Sequence, residues 1–201
     1  MIYRRPTSLC QAPGCSSRTI DEEHTCFLHH PDKTGYLAGL ASRLSGSERF
    51  SYLFLPGVEF KDFDLSGKSF YSCIFSGAAF LKCNLSNSTF MFCFFDEASF
   101  DSSICEHVHI HLSLLPGSRI SNSSFAHSDI TLSNFLGASL NGVCFDNSDL
   151  YYSVFSSARL SDSTFIDCNL KRVNFTFSER TNISFKYSNE EEAFFNPGEI
   201  L

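Results

Sequence analysis

Three cysteines and a histidine stand close together near the N-terminus, in "CQAPGCSSRTIDEEHTCFLHH". Cys10, Cys15, Cys26 and His29 read Cys-x4-Cys-x10-Cys-x2-His, with His24 and His30 as rival fourth donors. Thiolates and imidazoles in that number are the donor set of a closed tetrahedral zinc site. Pro13-Gly14 ahead of Cys15 suits the tight turn that lets two thiolates converge. The segment has almost no apolar residues to bury, so a bound metal would have to supply its folding energy. With four protein donors no coordination position is left open, which points to a structural rather than a catalytic site.

Other side chains with chemistry are less organised. His107, His109, His111 and His127 cluster in sequence. They read as a surface metal or pH-sensing group, or as ordinary solvated histidines. Asp and Glu are scattered, and no phosphate loop, nucleophile elbow or dinucleotide fingerprint occurs. No catalytic residue and no enzyme activity is expected.

The elements that would hold these groups follow from a repeat. From residue 60 to 195, every fifth position is large and apolar. Of 28 such positions, 25 are Phe, Leu or Ile, the exceptions being Cys105, Arg180 and Glu190. Two residues earlier the position is small: Ala, Ser, Cys or Val in 25 of 28 cases. Neither a helix nor a strand repeats every five residues. A chain that turns a corner every five residues closes a square after twenty. The large residues then fill the centre, the small ones fit beside the corners, and three residues per five face water. Stacked at strand separation, about seven coils make a rod roughly 34 Å long. Phe75, Phe95, Leu115, Phe135, Phe155, Phe175 and Phe195 should form one inner column. Leu65, Leu85, Cys105, Phe125, Phe145, Phe165 and Phe185 should form another. Cys73, Cys83, Cys93 and Cys168 fall on small inward positions and read as inert core thiols.

Segments such as "SNFLGASLNGVCFDNSDLYYSVF" and "STFIDCNLKRVNF" resemble the pentapeptide-repeat family. The resemblance implies an all-β fold, a right-handed quadrilateral parallel β-helix. It also favours His29 as the fourth ligand, because the x2 spacing is similar to zinc-finger-like segments ahead of pentapeptide repeats in some bacterial proteins. The expected organisation is a zinc-binding segment over 1–34, a capping helix (35–45) and linker to 57, the β-helix over 58–195 and a tail over 196–201. Leu37, Leu40 and Leu44 would share one face of the helix. Pro56-Gly57 would be a turn in the linker, and Arg180 and Glu190 would mark the degenerating last coil.

The outward positions carry the functional expectation. One corner collects Tyr71, Met91, Phe92, Leu112, Leu132, Tyr151 and Tyr152. The next face begins with Ile74, Phe94, Leu114 and Val154. An outer apolar patch marks a contact surface. The reading is a non-enzymatic interaction or scaffold module, with a structural zinc, that binds an unknown protein partner or a second copy of itself as a homodimer.

The alternative implied by the resemblance is a DNA-mimicking binder of type II topoisomerase (DNA gyrase), as in fluoroquinolone-resistance pentapeptide proteins. Residues 60–195 hold 15 acidic and 9 basic side chains, a net of −6 spread along the rod and interrupted by Lys171 and Arg172. Residues 1–59 balance six acids with six bases, which leaves no basic footprint for direct nucleic-acid binding. No apolar run is long enough to span a membrane. Nine cysteines without a secretory signal point to reduced thiols in a cytoplasm.

Overall fold

A computed structural model describes residues 8–21 and 23–197. The chain is an all-β parallel solenoid of about seven coils with one short helix. Three-residue strands at Arg49–Ser51, Ser69–Tyr71, Thr89–Met91, His109–His111 and Asp129–Thr131 pair in parallel on one face. Isolated bridges continue this first face through Asp149 and Asn169. The third face is a seven-stranded ladder from Glu59–Lys61 to Glu179–Thr181. The second and fourth faces are held by single parallel bridges, such as Ile74 to Phe94 and Asn84 to Ile104. The register is twenty residues per coil throughout, as in Phe50 opposite Phe70 and Leu140 opposite Leu160.

The corners explain why five residues suffice for a side. Every fifth residue from Tyr52 to Tyr187 has a positive φ, without exception. A residue in the left-handed region reverses the chain locally and turns it through a quarter circle. The corners are of two kinds. After Phe75, Leu85, Phe95 and Phe135 the turn closes on itself, as when Ala78 N–H donates to Phe75 O at 2.9 Å. After Phe80, Phe90 and Phe100 the small residue's N–H is instead taken by a serine hydroxyl one coil on. Cys83 donates to Ser103 Oγ at 3.1 Å, Cys93 to Ser113 Oγ at 3.0 Å and Ser103 to Ser123 Oγ at 3.1 Å. A buried N–H must find a partner, so serine at these inward positions is an acceptor as well as a small side chain.

The core is a herringbone of rings. Phe135 and Phe155 stack with centroids 4.7 Å apart and planes 3° apart. Across the axis, Phe155 meets Phe165 edge-on at 5.9 Å and 89°. Such pairs add about 0.5–1.5 kcal/mol each beyond burial. One coil, with centres Cys105, Ile110, Leu115 and Ile120, holds no ring, and beyond it the columns of Phe90 and Phe100 continue as Ile and Leu while the other two carry Phe. Cys73, Cys83, Cys93 and Cys168 are buried at inward positions.

At the N-terminal end, helix α1 (Lys33–Ser45) is capped by Asp32, whose carboxylate accepts Gly35 N–H at 2.8 Å. Leu40 and Leu44 are buried and Leu37 is half-buried against the first coil. The paired register starts at Arg49, ahead of residue 58. Phe50 and Leu55 are already core centres, and Gly57 is a solenoid corner rather than a linker turn. At the other end the Arg180 guanidinium lies over the Phe195 ring at 4.8 Å and donates to Ser178 Oγ at 3.0 Å. Glu190 opens a 3-10 turn, Glu190–Glu192. Most of the expected tail, 198–201, lies outside the described residues.

Candidate metal centre and interaction surface

The N-terminal segment folds as a hairpin followed by a short turn. Leu9 and Arg18 form an antiparallel bridge, and Cys10 N–H donates to Ser17 O at 2.8 Å. Cys15 N–H donates to Ala12 O at 3.1 Å, across the turn that Gly14 permits at φ +75°. Cys26 precedes a 3-10 turn, Phe27–His29. Three residues make one turn of that helix, so Cys26 and His29 eclipse.

These elements bring Cys10, Cys15, Cys26 and His29 together, with all four donor atoms within 4.8 Å of one another. Cys26 Sγ is 3.3 Å and Cys10 Sγ 3.7 Å from His29 Nδ1, and Cys15 Sγ is 3.9 Å from Cys26 Sγ. Zinc tetrahedra with bonds of about 2.3 Å to sulfur and about 2.0 Å to nitrogen have edges of roughly 3.5–3.8 Å. The spacing fits such an ion with little adjustment. The Cys10 thiol is pulled down to about 6, first by the Cys26 backbone N–H, while burial pushes Cys26 up. One of the thiols thus ionises readily, which is the charge a cation needs. Of the rivals, His24 is exposed and outside the group. His30 turns away: its Nδ1 accepts Asp32 N–H at 3.2 Å, its Nε2 lies 3.6 Å from Glu23 and its ring rests on Tyr36.

The segment is tied to the rod. Ile20 and Phe27 are buried in the same apolar cluster as Leu40, Leu44 and Phe50. Asp21 N–H donates to Phe54 O at 2.7 Å, and the buried Asp21 carboxylate pairs with Arg43 of α1.

The histidine cluster is dispersed along two coils. His107 and His127 stack at 5.1 Å, His109 Nδ1 faces Asp129 Oδ2 at 3.8 Å, and His111 Nδ1 meets Thr131 Oγ1 at 2.5 Å. Among the described residues only the N-terminal group converges on one point.

The corner between the first and second faces is apolar along most of the rod. Tyr71, Phe92, Leu112, Leu114, Leu132 and Tyr152 are exposed, between 39% and 45%. Ile74, Met91, Phe94, Tyr151 and Val154 are half-buried, lying back along the faces. Tyr52, 46% exposed, extends the series by one coil. The spacing of Phe50 and Leu55 was the signal that would have included it.

This corner differs from the other three. Its left-handed residues are Tyr52, Ser72, Phe92, Leu112, Leu132, Tyr152 and Arg172. The others use mostly Gly, Asn, Asp, Ser and other polar residues, apart from Phe177 and Tyr187 in the last coil. Left-handed backbone costs ordinary L-residues about 1–2 kcal/mol, and bulky ones are outliers there.

Residues 118–195 match the family described as pentapeptide repeat region. That match supports the pentapeptide-repeat family and its β-solenoid. No curated protein matches the chain in sequence. Among solved structures, full-length QnrB1, a plasmid-mediated fluoroquinolone resistance protein, is 18% identical and covers 74% of this chain and 94% of that protein, with a TM-score of 0.49. HetL, a pentapeptide repeat protein involved in heterocyst differentiation regulation from the cyanobacterium Nostoc sp. strain PCC 7120, is 14% identical over 81% of this chain and 97% of that protein, at 0.35. Rfr23, a pentapeptide repeat protein from the cyanobacterium Cyanothece 51142, is 11% identical over 80% of this chain and 99% of that protein, at 0.31. At these identities and scores the pentapeptide-repeat likeness carries no argument about function. No helix among the described residues is long and apolar enough to cross a membrane.

Proposed function

We propose that the chain is a non-enzymatic protein-interaction rod. Its contact face is the apolar corner, and its Cys10–Cys15–Cys26–His29 site holds a structural zinc that locks the N-terminal cap onto the first coil. The observation that carries this reading is the choice of residue at the corner. Phe92, Leu112, Leu132 and Tyr152 occupy left-handed backbone, where Asn or Gly would be easier, and leave about two-fifths of their surface in water. They are therefore not the residues the turn itself favours, and none belongs to the buried core cluster. Strain of this kind collects where a surface is used, and a contiguous apolar patch marks a contact.

The test is capture by the immobilised full-length chain, comparing the natural corner with a Phe92→Asn/Tyr152→Asn variant. A bound protein that the variant loses supports the reading. Equal retention by both overturns it. The topoisomerase reading rests on the net −6 of residues 60–195, and a supercoiling assay with purified gyrase decides it, since absence of inhibition at micromolar protein removes it.

A further inference from the structure

Resting on that reading of the apolar corner, we infer that its occupant is a second copy of this chain, packed antiparallel about a two-fold axis through the row of Leu112. Charge is the first argument. Over the rows from Tyr71 to Val154, the outward positions of this corner carry no Asp, Glu, Lys or Arg. Each chain carries a net −7. Two copies repel unless they meet where neither is charged, and this corner is such a surface. It offers nothing to a strongly basic or acidic partner.

Period is the second argument. The corner side chains repeat at the coil spacing, about 4.8 Å. An α-helix offers a repeat near 5.4 Å, so over five rows it slips by about 3 Å, more than half a row. Another solenoid stays in step along the whole length. Area is the third. The corner's exposed rings and leucines offer roughly 500 Å², and the half-buried neighbours bring this to roughly 800 Å², one side of a standard interface.

The two-fold fixes the pairs. An isologous contact requires that if one residue meets another, the reverse also holds. With the axis at Leu112, Phe92 lies opposite Leu132, small Ser72 opposite large Tyr152, and Tyr52 opposite Arg172. Arg172 already lies over Tyr152 of its own chain at 5.5 Å, and in the pair it is placed to cover a second tyrosine. A parallel in-register pair would set each residue against its own copy, Tyr152 on Tyr152 and Ser72 on Ser72, so large would meet large and small would meet small.

Sedimentation velocity of the full-length chain at micromolar concentration tests this. The natural chain should run at twice its mass of 22.5 kDa. Phe92→Lys and Leu132→Glu should each run as monomers. An equimolar mixture of the two should restore the dimer, because the antiparallel register sets Lys against Glu. Leu112→Asn, which suits the left-handed corner, should weaken association at least tenfold while keeping the fold by circular dichroism. A natural chain that stays monomeric overturns the inference and leaves the interaction reading to the capture experiment. Charge variants that remain dimeric, or a mixture that stays monomeric, overturn the corner or the register.

Discussion

The hydroxyl of Ser113 accepts the backbone N–H of Cys93, one coil before it, at 3.0 Å, and lies within reach of His111 O at 3.1 Å. The hydroxyl of Ser118, five residues on and equally buried, has no partner. The corner type explains the contrast. One coil before Ser118 the turn closes on itself, Ala98 N–H donating to Phe95 O at 3.0 Å, so no orphan donor waits for the Ser118 oxygen. Ser113→Ala should therefore cost about 1–3 kcal/mol by stranding the Cys93 N–H. Ser118→Ala should be neutral or slightly stabilising. Urea midpoints of the two variants check this, and equal shifts would remove the hydroxyl column as a bonding element.

Phe135 and its neighbour Leu136 give a second contrast. Phe135 is fully buried, and Leu136 is 47% exposed. Phe135→Asp would place a carboxylate between the rings of the central column, at a cost on the order of the whole stability of a domain. It should yield no cooperative melt. Leu136→Asp should fold and melt within a few degrees of the natural chain, as thermal circular dichroism will show.

These two residues also show what was legible beforehand. The large-small pattern with its period of five placed Phe135 and Phe155 on one column, because each side of the square turns one large and one small side chain inward. The gathering of Cys10, Cys15, Cys26 and His29 was legible because few residue types serve as metal donors. Phe50 and Leu55 were hidden by Pro56-Gly57, which reads as a linker turn in isolation yet is an ordinary corner of the square. Ile20 and Phe27 were hidden because their contacts with Leu40 and Phe50 are long-range and follow no repeat. The difference between the two corner types was invisible for another reason. It lies in which acceptor takes an N–H, and every corner has the same five-residue spacing.

The cap supplies a metal prediction. Protein purified without chelator should contain about one zinc per chain, measured by elemental analysis, and Cys15→Ser should reduce the content. Chelation should raise amide exchange at Cys10, Ile20 and Leu55. It should leave Phe135 and Phe155 protected, because the rod beyond the first coils does not need the cap to bury its rings. Absence of zinc from the natural protein would refute the ligand assignment. Uniform loss of protection would show that the rod depends on the cap.

Phe92 and Tyr152 separate a structural from a functional purpose for the corner. Were these side chains part of the packing, Phe92→Asn and Tyr152→Asn would lower the melting temperature. Their backbone argues for the reverse. Both sit at positive φ, 55° and 62°, where asparagine is among the few residues at ease. The covered part of each ring lies against a neighbour on the same corner, Tyr71 for Phe92 and Tyr151 for Tyr152, each at 5.5 Å, so what is forfeited is a surface contact rather than core packing. Each change should stabilise the isolated chain by about 0.5–1 kcal/mol, read as a raised urea midpoint at a concentration where association is absent. The same changes should weaken association or capture at least tenfold. A gain in stability with a loss of binding is the signature of a surface kept for contact. A loss of both would mean that the rings support the coils beneath them.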